Sequence, residues 1–269
     1  MKYFGLSLMS LFLSAFLLTS CLEGGSVLEG GTLGVVSYGK TTPYIIKTPM
    51  NGDLYTPSLN SLINNGELST GDCVYFQYRY DSKLPENAPN LVALNEYLTI
   101  TLIDMMLINK SNLISYLTDT ALVLPNELPI IKGCKEDLLF EGYLFMATTV
   151  SIQEDVELEW NMSYDPANMM PVTENGERYY DVFLRATIRK GSDKVLKYEA
   201  SPINAYYMLH YLQNAASIER TNLGSAYKED SSTITVRLNY ASSIDAVTNE
   251  ITWKSDLLEY KIGPILSSY

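Results

Sequence analysis

The chain has 269 residues, is 46% hydrophobic, and carries a net charge of −12 from 19 basic and 31 acidic side chains. An acidic body repels phosphate backbones, which argues against nucleic acid as a partner, and the apolar content with 21 tyrosines excludes disorder and favours strands. One histidine and three cysteines, with no Cys-x-x-Cys pair, leave no ligand set for a zinc site of the usual type.

Lys2 gives a positive start, Tyr3 to Leu18 an uncharged apolar run, and Thr19-Ser20 two small residues before Cys21. That order is a secretory signal, and the run falls short of the roughly 20 residues that span a bilayer. A cysteine directly after Leu18-Thr19-Ser20 resembles the bacterial lipoprotein signal, whose cysteine is acylated before cleavage. Residues 1–20 are therefore read as a signal peptide and Cys21 as the lipidation site, with the acyl chains as the membrane contact. Gly24-Gly25 and Glu29-Gly30-Gly31 make 21–31 a flexible tether.

Leu33 to Tyr38 and Tyr44 to Lys47 are short β-rich runs, and Asn51-Gly52 centres a turn. From Cys73 to Tyr80, Val74, Phe76, Tyr78 and Tyr80 alternate with Cys73, Tyr75, Gln77 and Arg79, a strand with one apolar face. Tyr97 to Ile108 is another β-like run, and Leu113 to Thr120 suits a short helix or turn. Pro125, Pro129 and Gly133 break the chain, so the domains are expected at 32–132 and 133–269.

The second half alternates more clearly. Leu144, Met146, Thr148, Val150 and Ile152 share one face, and Val156 to Tyr164, Tyr180 to Ile188 and Ile234 to Tyr240 carry apolar residues at every second position, opposite Glu157, Glu159 and Asn161, opposite Asp181 and Arg185, and opposite Thr235, Arg237 and Asn239. One wet face per strand predicts antiparallel sheets packed as a sandwich. Ser201-Pro202 followed by Ile203, Tyr206, Tyr207 and His210 predicts a helix that stops before Gly224.

The lipoprotein signal ending at Cys21 and the segment Gly71-Asp72-Cys73-Val74-Tyr75-Phe76-Gln77-Tyr78 together resemble the NigD-like lipoproteins of Bacteroidetes, as does the strand from Tyr179 to Lys190. The resemblance implies an OB-like barrel followed by a C-terminal β-sandwich, and it carries over no catalytic residue. It also implies a Bacteroidetes source and an outer-membrane location, with the facing left open. Asp119-Thr120-Ala121 matches the O-glycosylation pattern of that phylum, which makes Thr120 a candidate acceptor.

Chemistry is sparse. Glu154, Asp155, Glu157 and Glu159 are the carboxylates that a glycosidase would need, but Glu157 and Glu159 fall on a wet strand face. His210 lies within Tyr-Tyr-Met-Leu-His-Tyr, a structural setting, and Gly-x-Ser-x-Gly, P-loop and dinucleotide motifs are absent. Trp160 and Trp253 are expected in the core, whereas Tyr75 and Tyr179, on polar faces, are the candidate aromatic contacts. Cys73 and Cys134 read as isolated thiols, with pairing left open. The sequence thus predicts an all-β, lipid-anchored protein without catalytic residue, metal or cofactor. Its role would be binding or scaffolding of an envelope protein, with a surface glycan-binding accessory and a fimbrial-type subunit as alternatives; the oligomeric state is left open.

Overall fold

A computed structural model describes residues 26–39, 44–116, 118–167, 169–191 and 196–267. The expected signal peptide, residues 1–20, and the candidate lipidation site Cys21 lie outside the described residues. The chain divides into two units at Asn109/Lys110, earlier than the Lys132/Gly133 break that the prolines suggested. The segment between them supplies strands to the second unit rather than the first.

The first unit is a closed barrel of order β1-β2-β3-β5-β4. Its strands are β1 (Val27–Tyr38), β2 (Tyr44–Thr48), β3 (Gly52–Tyr55), β4 (Cys73–Asp81) and β5 (Leu98–Leu107), with α1 (Pro57–Asn64) after β3 and α2 (Pro89–Asn95) before β5. Val36, Ile46, Leu54, Leu59, Val74, Phe76 and Ile100 fill its core. The apolar face read from Val74 and Phe76 is the inner face. β1 begins inside the expected tether, because its glycines serve the strand. Tyr75 and Tyr78 lie over Gly31 and Gly30, where a Cβ would crowd their rings.

The second unit packs two sheets around one core. In chain order its strands are β6 (Asn109–Asn112), β7 (Ile114–Ser115), β8 (Glu127–Leu128), β9 (Ile130–Phe140), β10 (Tyr143–Gln153), β11 (Glu157–Tyr164), β12 (Val172–Glu174), β13 (Glu177–Lys190), β14 (Lys197–Ala200), β15 (Ile203–Tyr207), β16 (Thr233–Ile244) and β17 (Ile251–Lys261). Helix α3 (Leu209–Leu223) precedes β16, and α4 (Ile262–Ser267) follows β17. One sheet holds β14, β10, β15, β6 and β9, while the other runs β17-β16-β13-β11-β7, with β12 and β8 also on β13. Leu144, Met146 and Val150 of the first sheet meet Trp160, Met162, Val182, Leu184, Val236 and Leu238 of the second. These are the residues that the period-two pattern assigned to the inner faces.

Three expectations change. The second unit is not purely antiparallel, since β13 pairs β16 and β11 pairs β7 in parallel. Ile203–Tyr207 is a strand, because Tyr207 to Ile203 pair with Tyr143 to Ala147 of β10 and bury Asn204 and Tyr206. Strand pairing thus overrides the helix-like spacing, as β-favouring tyrosines allow, and the helix starts only at Leu209. Within Leu113 to Thr120, expected as a short helix or turn, Ile114–Ser115 is a short strand that pairs with β11. The Asn175-Gly176 turn is a two-residue hairpin loop with both φ positive, at 52° and 85°, the conformation that Asn-Gly favours.

Candidate functional site

The outward face of the larger sheet carries a connected set of polar and aromatic side chains. Alternation places Tyr179, Asp181, Phe183 and Arg185 of β13 on it, since Tyr180, Val182, Leu184 and Ala186 are buried inward. Register extends the rows sideways. Asp181 lies beside Arg237 and Phe183 beside Asn239, while Arg237 lies beside Leu257 and Asn239 beside Ser255.

One carboxylate organises the floor. Asp181 accepts Nε and Nη2 of Arg237 at 2.6 and 2.8 Å and Nδ2 of Asn239 at 2.9 Å. Ser255 donates to Oδ1 of Asn239 at 2.7 Å, and Nη1 of Arg237 reaches Glu174 at 2.7 Å. The bonds to Asp181, then the contact with Glu174, raise the Arg237 pKa and keep the guanidinium charged. Tyr179 has Arg237 5.1 Å from its ring centroid and donates its hydroxyl to Glu177, which raises its pKa. Such bidentate, charge-assisted contacts fix side chains before any ligand arrives.

An irregular strap, residues 118–127, borders the same face. Arg185, 3% exposed at its side chain, holds Glu127 through Nε at 2.7 Å and Nη2 at 2.6 Å and also donates to the carbonyls of Asp119 and Leu122. Thr118 and Ser163 share a hydroxyl contact. Trp253 donates from Nε1 to the Thr120 carbonyl at 2.9 Å, and its ring meets Phe183 edge-on at 5.6 Å and Arg185 at 5.7 Å. Trp253 is therefore not core, as its Ile251-Thr252-Trp253 setting suggested, but a half-buried member of the outward face. Trp160 is core, at 5% exposure.

The other sequence candidates scatter. Tyr75 is half-buried on the barrel, its pKa raised mainly by burial and opposed by a bond to Gln77. Thr120 is exposed on the strap, after an Asp119 side chain that accepts the Ala121 N–H at 2.9 Å. His210, exposed at the start of α3, meets Tyr207 edge-on at 6.0 Å. Glu157 and Glu159 are exposed, and Glu157 faces Lys190 at 3.5 Å. Cys73 and Cys134 are both buried and are not paired with each other in a disulfide. Among the described residues, no group of three or more His, Cys, Asp or Glu is placed to hold a metal. A cleft of about 390 Å³ beside α3 has Leu209, Leu212 and Ile265 in its lining and Asp137, which accepts the Tyr260 hydroxyl at 3.0 Å, at its rim. Of the missed members of the outward face, Asp181, Phe183 and Asn239 were on positions that the alternation marks as wet, whereas Ser255 lies on β17, which the sequence did not mark out as an alternating strand.

Residues 24–106 match the family model of the lipoprotein OB domain. Among solved structures, a protein from Parabacteroides merdae is 24% identical, over 87% of this chain and 99% of its own, with a TM-score of 0.69. A putative lipoprotein from Bacteroides fragilis is 11% identical over 87% of this chain and 99% of its own, with a TM-score of 0.55. A NigD-like immunity protein from Bacteroides caccae is a weaker likeness, 10% identical over 89% and 99%, with a TM-score of 0.48. The comparison with curated proteins finds no match. The first two likenesses show that the whole two-unit fold is shared. The matched stretch, residues 24–106, spans the barrel strands β1 to β4 and nearly all of β5, the OB-like barrel that the resemblance to the NigD-like lipoproteins implied.

Proposed function

We propose that this is a lipid-anchored envelope protein of the outer membrane that works by binding a partner rather than by catalysis. The observation that carries the reading is the lipoprotein OB domain, which begins at residue 24, immediately after the candidate acyl site Cys21. Anchoring through several acyl chains on one residue is stable, and it holds the second unit's outward face within reach of envelope or extracellular molecules. Protease shaving of intact cells, read with an antibody to the folded body, tests on which side it works. Loss of signal places the body outside. Protection directs the search to periplasmic partners.

A second reading, a glycan-binding accessory, is favoured by one specific observation. Tyr179, Phe183 and Trp253 share a face with Asp181, Asn239 and Arg237, the mixture of rings and hydrogen-bonding groups that sugars need. Affinity electrophoresis against a panel of soluble polysaccharides tests it. The reading expects one glycan to retard the wild type and not Phe183→Ala. Equal mobility of both proteins across the panel contradicts it.

A further inference from the structure

We propose that β17 is the joint of a symmetric dimer, in which two copies of this chain pair their β17 strands antiparallel about Ser255. β17 is the last strand of its sheet, and among the described residues it pairs only with β16. It is 11 residues long. A long open edge presents a row of unsatisfied backbone N–H and C=O groups, and proteins either block such an edge or use it.

The side chains on this edge are self-complementary. Trp253-Lys254-Ser255-Asp256-Leu257 reads apolar, positive, neutral, negative, apolar. In an isologous antiparallel pair, residues equally far on either side of the centre face each other. Centred on Ser255, Lys254 meets Asp256 of the second copy and Trp253 meets Leu257, and symmetry makes each pair twice. Other centres give less: Lys254 or Asp256 at the centre opposes two like charges. Centring on Leu257 sets Lys254 against Tyr260, and centring on Leu258 sets Asp256 against Tyr260. Of the centres from Lys254 to Leu258, Ser255 alone forms ion pairs.

The groups are available. Lys254 is exposed and makes no ion pair among the described residues. Asp256 accepts the Cys134 N–H on Oδ2 at 2.8 Å, which steadies the carboxylate and leaves Oδ1 for the second copy. Leu257 is 54% exposed with no core role, an apolar cost that the Trp253 contact would remove.

Cysteine cross-linking tests the pairing and its register in the full chain, purified from membranes in detergent. Ser255→Cys puts two thiols opposite each other across the two-fold axis, whereas Leu257→Cys puts each thiol opposite Trp253. Mild oxidation is expected to give severalfold more disulfide-linked dimer with Ser255→Cys than with Leu257→Cys. Adding Lys254→Glu to Ser255→Cys should abolish that excess, because two carboxylates then face each other. Equal cross-linking of the two cysteine variants, or an excess that survives Lys254→Glu, overturns the proposal. All three side chains are exposed, and Ser255→Cys gives up one exposed hydrogen bond, to Asn239, so the variants keep the fold.

Discussion

Arg185 and Glu127 form a two-pronged ion pair, 2.6 Å between Nη2 and Oε2, with side-chain exposures of only 3% and 0%. It joins the middle of β13 to the far end of the strap and so decides whether residues 118–127 lie against the sheet. Removing one partner of such a pair leaves a buried charge alone, which costs about 3–5 kcal/mol. Arg185→Ala should therefore lower stability by about that much, free the strap to protease, and change the fluorescence of Trp253, which bonds to Thr120. The double variant Arg185→Ala with Glu127→Ala should recover part of the loss. A double variant no more stable than Arg185→Ala in denaturant melts would contradict the assignment.

Glu219 ties α3 to the sheet. It is 7% exposed and accepts Nε of Arg178 at 2.9 Å and the Tyr180 hydroxyl at 2.7 Å. Glu219→Ala strands the buried Tyr180 hydroxyl, and it should destabilise the chain by about 1–3 kcal/mol. Tyr180→Phe, which leaves the Arg178 contact, should cost less. Urea midpoints of the two variants check the order.

Burial raises the pKa of Tyr180, Tyr206, Tyr211 and Tyr260 well above the ordinary tyrosine value of 10.0, and it pushes the Cys134 thiol up to about 12. Acidic neighbours add to this, Glu219 at Tyr180 and Asp137 at Cys134 and Tyr260. The folded state thus holds protons that the unfolded chain gives up. Its advantage from these groups is complete below the unfolded pKa values, near 9 for the thiol and 10 for the phenols, and falls as pH rises beyond them. Stability should decline through alkaline pH, with these phenols ionising together with unfolding. A phenolate absorbance titration followed beside circular dichroism measures this. Full ionisation of the tyrosines in a still folded chain would contradict it.

The same burial makes Cys134 a poor nucleophile. Iodoacetamide at pH 8 should alkylate it far more slowly in the native chain than in urea, because the thiolate reacts and the thiol does not. Equal rates in both states, read by peptide mass spectrometry, would sink this expectation.

Much of the fold was legible because period-two alternation is strong wherever one face is wet. Val74 and Phe76 in the barrel, and Met162, Val182, Leu184, Val236 and Leu238 in the second unit, are all at 0% exposure. What misled was local. Ile203 to His210 carries helical spacing, yet strand β10 offered Ile203–Tyr207 a pairing partner, and pairing between distant segments leaves no trace in a window of ten residues. The parallel β13–β16 contact was hidden for the same reason. Trp253 was misplaced because a neighbouring isoleucine looks like core, whereas the ring covers Arg185 under a strap more than 120 positions earlier in the chain. Tyr179 was placed on the right face, but its partner Arg237 comes from β16 and only register brings the two together.

The central claim, a lipid-anchored envelope protein, rests on Cys21. Mass spectrometry of the N-terminal peptide from membrane-purified protein tests it most directly. The mature chain is expected to begin at Cys21 and carry fatty acyl groups, and a Cys21→Ala variant to stay uncut and unacylated. A mature chain that begins elsewhere, or a Cys21 without lipid, would contradict it.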